Sequence, residues 1–240
     1  MTGTSASPAG TIPAAPSRIG HSIAVGAAGF AWCSLALGLS TVGAMNTAGS
    51  SVILTGTFFY GGIVQLVAGF FALAAGTTFV AAFLTAYGAF WLGYTAIQVY
   101  VAPHIVAQVM SAGTGAGASQ QALAAQAGHD VVQALGVFLI AWLVVTAIFT
   151  VASLGTNAVT LSAFCLLDLT IVLLAVAYLG ASSAGVPVSS ALHAAGWVEI
   201  ALAAVAFYVV LAELANDTLR RTVFPLFPLT RFTASPALSA

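Results

Sequence analysis

Six times along its 240 residues this chain strings together more apolar side chains than a water-soluble helix can hide. Runs near 22–44, 51–74, 78–101, 131–153, 159–180 and 191–214 are separated by clusters of Gly, Ser, Thr, Asn and Pro, and each exceeds the ~18 residues at which a membrane span becomes the favoured reading. No ordinary water-facing surface is available to wrap them. Asp, Glu, Lys and Arg together make up 4% of the sequence, against about 25% in a soluble domain. The sequence therefore predicts an all-α membrane protein with six transmembrane helices, multi-pass in the cell (inner or plasma) membrane.

Residues 1–20 have neither the basic start nor the apolar stretch of a cleaved signal peptide and read as a disordered tail. The six-helix domain covers 21–225, and 226–240 form a C-terminal tail. There is no lysine, and the four arginines are Arg18 before the first span and Arg220, Arg221 and Arg231 after the last. By the preference of Lys and Arg for the cytoplasmic side, both termini face the cytoplasm, which requires an even number of spans. The 102–130 stretch then lies outside. It is too polar and Gly-rich to span, with "SQQALAAQA" as a short surface helix capped by Ser119.

Lipid gives apolar surfaces no reason to associate, so small residues that let backbones approach become the packing signal. Gly26, Gly29, Gly61, Gly62 and Gly69 are the candidate contacts. Cys33 and Cys165 both lie within spans, which argues against a disulfide framework or a metal site. No nucleophile–base arrangement stands out, His193 being at a helix start by the surface, so the chain is not read as an enzyme. No cofactor, metal or nucleic-acid partner is expected.

Inside the spans, polar side chains are the informative residues. Asp168, near the middle of span five, and Glu199, in span six, would each cost about 2.5–3.5 kcal/mol if ionised at a helix centre. At 100° per residue Asp168 shares a face with Leu161, Phe164, Val172, Ala175 and Leu179, which looks like a packed interface. A second stripe, Thr160, Ala163, Leu167, Thr170, Leu174 and Tyr178, looks like the wall of a path. Relay and structural brace both remain open for Asp168. Glu199 lies on a stripe of small residues with Ala195, Ala203 and Ala206, where a helix or a substrate can come near. Phe83, Tyr87, Phe90, Trp91, Tyr94 and Gln98 line one side of span three, and its phenol and amide groups need partners in hydrocarbon. The substrate-path or proton-relay candidates are Asp168, Glu199, Thr170, Tyr94, Gln65 and His21.

No Arg or Lys lies within any span, so a permeating anion meets no buried cation. Moving a bare carboxylate into low dielectric carries an idealised penalty of order 20 kcal/mol. A proton travelling with the anion removes it.

The segments "FYGGIVQLVAGF" (59–70), "GTTFVAAFLTAYGAFW" (76–91), "LGVFLIAW" (135–142) and "HAAGWVEIALAAVAFYVVLAELANDTLRRTVFP" (193–225), in this order and spacing, resemble the acetate uptake transporter family, which includes the bacterial succinate-acetate permeases. The resemblance covers 21–225. It implies a six-helix protomer, a homo-hexamer in the bilayer, and proton-coupled passage of acetate and related short carboxylic acids, succinate among them, with channel-like behaviour also proposed. It places the family's constriction on Phe30, Tyr87 and Leu167. Asp168 directly follows Leu167, where relatives have a neutral hydroxyl.

Two departures stand out. The family's Asn-Pro-Ala-Pro-Leu-Gly-Leu motif is reduced here to "HSIAVGA" (21–27), which keeps only Gly26 and puts His21, a group that titrates near pH 6.5, at the Asn position. Glu199 replaces what is often a small residue. The altered motif motivates an alternative, an acetate- or pH-sensing membrane protein on the same fold without transport.

Overall fold

The computed structural model describes residues 22–46, 49–115 and 117–229. Six helices are long and apolar enough to cross a membrane, as the sequence predicts: α1 (Ser22–Thr41), α2 (Gly49–Ala74), α3 (Thr78–Gly113), α4 (Gln120–Ser153), α5 (Ala158–Leu179) and α6 (Ser189–Leu219). The expected tail 1–20 and residues 230–240 of the expected tail 226–240 lie outside the described residues, as does His21, whereas 226–229 are described and bond the α4–α5 turn.

Neighbouring helices form a ring. α1 packs most extensively on α6, α6 on α5, and α5 on α4, while on its other side α1 meets α2 and α2 meets α3. The ring closes between α3 and α4 differently. There the hairpin-end extensions pack on each other, and nearer the middle large rings fill the gap, with Phe90 stacked on Phe138 at 5.7 Å and edge-on to Trp142 at 5.2 Å. Ile23 at the start of α1 and Val209 near the end of α6 line one cavity, so both lie towards the same end, termed here the terminal end. The opposite end is the hairpin end.

The close pairs meet through glycine. A Cβ on Gly29 would run into the Tyr60 carbonyl of α2, one on Gly69 into the backbone of α3 at Leu84–Thr85, and one on Gly38 into α6 at Gly196 and Ile200. Without an apolar drive for association in lipid, backbone approach supplies the dispersion contacts that hold helices together. Hydroxyls add to this. Thr57 and Thr95 bond each other at 2.7 Å in the buried α2–α3 seam. Both helices carry a π-helical segment beside that bond, Thr57–Val64 in α2 and Ile97–Val101 in α3.

Helix ends follow from local chemistry. Asn157 caps α5 by accepting from Thr160 N at 2.8 Å. Gly43 and Gly76 take positive φ after α1 and α2, and the carbonyls of Leu39 and Ala72 are satisfied from Ala44 N and Thr77 N.

The 102–130 stretch differs from the sequence expectation. Helix α3 continues through it as Ala102–Gly115 and α4 starts at Gln120, so the connection between them is only 116–119, of which 117–119 are described. Ser119 does cap the helix, accepting from Ala122 N at 3.2 Å, but that helix runs on into the span. Alanine and glutamine favour helix strongly enough to carry it past the apolar run. The α4 extension also supports its neighbour. Gln133 Nε2 donates to Leu179 O at 3.1 Å, satisfying a carbonyl that the end of α5 leaves open.

At the terminal end, the segment after α6 turns back across the bundle. Asn216 Oδ1 accepts from Val223 N and Phe224 N, Tyr208 donates to Pro225 O at 2.9 Å, and Ala158 N and Leu229 N bond Phe227 O and Thr156 O in the α4–α5 turn.

Glycines at crossings and glycines in open helix should behave oppositely. Gly29→Ala is expected to lower stability in detergent by about 1–3 kcal/mol through overpacking. Gly93→Ala, whose added Cβ would meet only the Phe138 ring at 3.9 Å, is expected to be neutral or to stabilise by up to ~1 kcal/mol. Thermal unfolding of the two variants side by side measures the contrast.

Candidate functional site

The axis of the ring carries two separate spaces. Towards the terminal end is a cavity of about 50 Å³, room for roughly three to five water-sized bodies. Its walls are Ile23, Ala27 and Phe30 from α1, Phe83 and Tyr87 from α3, Thr160, Ala163, Phe164 and Leu167 from α5, and Leu202, Ala206 and Val209 from α6. Only Tyr87 and Thr160 bring hydroxyls. Towards the hairpin end an open vestibule of about 450 Å³ is lined by Ser40, Thr41, Ser50, Ser51, Tyr94, Gln98 and Tyr178 among others. It adjoins a pocket of about 30 Å³ reaching Phe90, Phe138, Leu139 and Leu174.

Phe30, Tyr87 and Leu167 stand between these spaces. Each is the last residue of its helix to line the 50 Å³ cavity before the vestibule-side residues Leu37, Phe90 and Leu174 begin. Phe30 meets Tyr87 edge-on at 5.4 Å and Trp91 at 6.2 Å. Tyr87 is further wedged among Phe90, Trp142, Phe149 and Phe164. Its hydroxyl lies 2.6 Å from Thr146 Oγ1. Thr146 has one proton and a 2.8 Å bond to Trp142 O, so Tyr87 is the donor in their pair. The phenol is thus tethered to α4, and an apolar ring edge is left facing the cavity.

Asp168 lines neither space. Its Oδ2 lies 2.6 Å from Thr150 Oγ1 on α4, and its Oδ1 is buried without a partner. Thr150 also reaches Thr146 O at 3.1 Å. With one hydroxyl proton on Thr150, two arrangements satisfy Oδ2, and Oδ1 has no partner in either. An ionised Asp168 accepts from Thr150, whereas a protonated Asp168 donates to Thr150, which then donates to Thr146 O. The interface face expected for Asp168 is the α4–α5 seam.

Of the other candidates, Tyr94 lines the vestibule and accepts from Gln98 Nε2 at 3.1 Å. Thr170 is buried, but its hydroxyl is turned to Leu166 O of its own helix at 2.9 Å. Gln65 is fully buried, and neither amide atom has a partner. Trp91 Nε1 and Glu199 Oε2 are likewise buried and unpartnered. Glu199 lies within electrostatic reach of Cys33, Tyr94 and Tyr178. Among the described residues, no group of three or more His, Cys, Asp or Glu is placed to hold a metal ion.

Sequence reasoning missed two contributions. Leu202 and Val209 join Ala206, which lies on the small-residue stripe read from the sequence, to form a full side of the cavity, and being aliphatic they carry no signal that separates a cavity wall from a packed face. Thr146 and Thr150 anchor Tyr87 and Asp168. Two threonines four residues apart in an otherwise apolar stretch share one helix face, and that spacing was readable.

Comparison with known proteins agrees with this architecture. The profile of the GPR1/FUN34/yaaH family matches residues 3–231. Acetate permease A of Emericella nidulans is 29% identical over 214 residues, a match covering 88% of this chain and 66% of that protein. The succinate-acetate/proton symporter SatP of Escherichia coli K12 is 29% identical over 209 residues, covering 87% of this chain and 96% of that one. The structure of the bacterial acetate channel SatP superposes with a TM-score of 0.67 at 29% identity, covering 87% of this chain and 99% of that chain. These relatives bear names of transporters and channels, not of enzymes.

The α4–α5 seam has a testable energetic signature. Thr150→Val strands the Asp168 carboxyl and is expected to cost about 1–3 kcal/mol. Adding Asp168→Leu should recover most of that loss, because removing both partners leaves nothing buried and unpaired. Asp168→Asn, which keeps an acceptor for Thr150, should fall between. A double-mutant cycle from melting in detergent reads all three.

Proposed function

The chain belongs to the GPR1/FUN34/yaaH family, and from that premise we propose that it carries acetate and related short-chain monocarboxylic acids across the membrane along the axis of its own six-helix bundle, in company with a proton. The supporting observation is the apolar waist of Phe30, Tyr87 and Leu167 between a hydroxyl-lined vestibule and a 50 Å³ cavity. The waist has no cation to pair with a carboxylate and no exposed donor beyond the tethered Tyr87. An ionised acid would have to shed its hydration there without replacement. The neutral acid keeps its apolar methyl in contact with ring edges and leaves its charge outside. A two-carbon acid has four heavy atoms, a size in keeping with the roughly three to five water-sized bodies the cavity holds.

In this reading the vestibule collects the anion through the hydroxyls of Ser40, Thr41, Ser50, Ser51 and Tyr94, which can donate to a carboxylate without holding it as a buried cation would. The waist selects for size and neutrality. The terminal end, with Arg220 and Arg221 following α6, faces the cytoplasm. The functional assembly is a homo-hexamer, which the family resemblance supports and which native mass spectrometry of the detergent-solubilised protein tests. A sensor on the same fold would bind acetate without conducting it.

Uptake of labelled acetate into proteoliposomes under an inward proton gradient is the direct test. Uptake above protein-free vesicles, abolished by collapsing the gradient, is expected, whereas binding without flux would favour the sensor. Leu167→Ala should open the waist by three carbon atoms. It is expected to raise competition by succinate and lactate against acetate several-fold, within the range of about 1–3 kcal/mol that a methylene-scale pocket change brings. An unaltered order of preference among the three acids would remove Leu167 from the waist.

A further inference from the structure

Glu199 lines neither space itself, but among the described residues it is the one carboxyl that α6 holds between them. On α6, Leu192 lines the vestibule and Leu202, Ala206 and Val209 line the cavity. Glu199 sits on the same buried stripe, three residues before Leu202 and four after Ala195, and both of those belong to the central core with Tyr87 and Leu167. Its side chain is 4% exposed, and Oε2 has no hydrogen-bond partner.

The described residues of the elements packed against it supply no compensating charge. From α1 the titratable group is Cys33. From α3 it is Tyr94, with Tyr87 a turn or two deeper. From α5 it is Tyr178, because Asp168 is turned to α4 and Cys165 is exposed. On α6 itself His193 is exposed and Glu213 lies near the far end. Every one of these is neutral or acidic except the exposed imidazole. A buried carboxylate with neither a cation nor a full set of donors is among the costliest groups an interior can hold, and the same group with a proton on Oε is an ordinary polar side chain.

We propose that Glu199 is a proton-binding site of the conduit, standing between vestibule and waist, and that it, not Asp168, couples acid movement to protons in this chain. This rests on the transport reading above. A carboxylate arriving from the vestibule takes the proton from Glu199 Oε and goes on through the waist as the neutral acid. Glu199 is left ionised and recovers a proton from vestibule water, by way of the hydroxyls of Tyr94 and Tyr178. One proton leaves Glu199 and one returns, so the residue ends as it began and one proton has crossed with each acid. Asp168 is unsuited to such an exchange because its hydrogen bond runs to Thr150 in the α4–α5 seam, away from the stripe of α6 that joins the two spaces.

Two measurements on the full-length protein decide it. The first is infrared spectroscopy in detergent across a pH series, read at the stretching band of a protonated carboxyl. Near pH 7, where exposed carboxyls are ionised, the band is expected in the wild type and in Asp168→Asn, and absent when Glu199→Gln is made in the Asp168→Asn background, where Asp168 contributes no signal. Its absence from Asp168→Asn, or its persistence in the double variant, overturns the proposal. Should Glu199→Gln fail to assemble, Glu199→Asp serves instead, with a shifted band expected and an unshifted one contrary. The second is labelled-acetate uptake into proteoliposomes with and without an inward pH gradient. Acceleration by the gradient is expected for the wild type and Asp168→Asn and lost in Glu199→Gln; a Glu199→Gln response equal to the wild type's sinks the coupling role. Wild-type protein that binds acetate but moves none would end the transport reading, and the infrared band would still show whether Glu199 holds the proton.

Discussion

Hydrocarbon neither hydrates a charge nor hydrogen-bonds a backbone, and every feature of this bundle answers to that. Apolar side chains gain nothing by meeting one another in lipid, so the helices come together where glycines let backbones touch, at Gly29 against Tyr60 and Gly38 against Gly196. The few hydroxyls are placed at seams, Thr57 on Thr95 and Tyr87 on Thr146, where an unpaired group would cost most. The outer surface needs no such devices. Val137, Val144, Ile148 and Val151 stand exposed along α4, as a lipid-facing helix should have them.

Close approach is not uniform around the ring, and the exception forms the site. α1, α2 and α6 are rich in glycine and alanine and cross tightly, whereas α3 and α4 are held apart by Phe90, Phe138, Trp142 and Phe149. Those rings keep Tyr87 upright beside Phe30 and support the waist from behind. A conduit in lipid has to be kept from collapsing as well as held together, and stiff aromatic side chains with few rotamers serve that better than flexible ones.

Two carboxyls in one apolar bundle illustrate how surroundings assign roles. Asp168 is bonded through Oδ2 to Thr150 across the α4–α5 seam, and its Oδ1 is buried without a partner. Glu199 Oε2 is also buried without a partner, on the stripe of α6 that runs between the two spaces. The first carboxyl ties a helix seam; the second is the one to which the proposed proton exchange is assigned.

Six helices, their lipid surroundings and the packing glycines were legible in the amino-acid order, because length, hydropathy and residue size are local properties that the bilayer reads directly. Of the six residues on the mildly polar stripe of α5, Thr160, Ala163 and Leu167 line the cavity, Leu174 and Tyr178 line the pocket beside the vestibule, and Thr170 turns back to its own helix. The helical 102–115 stretch was obscured because its glycines and polar residues mask a good helix former. What tertiary structure alone decided was partnership. Nothing in the order of residues says that Asp168 meets Thr150 eighteen positions earlier, that Tyr87 is tethered to Thr146, or that Leu202 and Ala206 close the cavity. Those facts depend on how the ring of helices is rotated, and rotation is set by the sum of many crossings, not by any one segment.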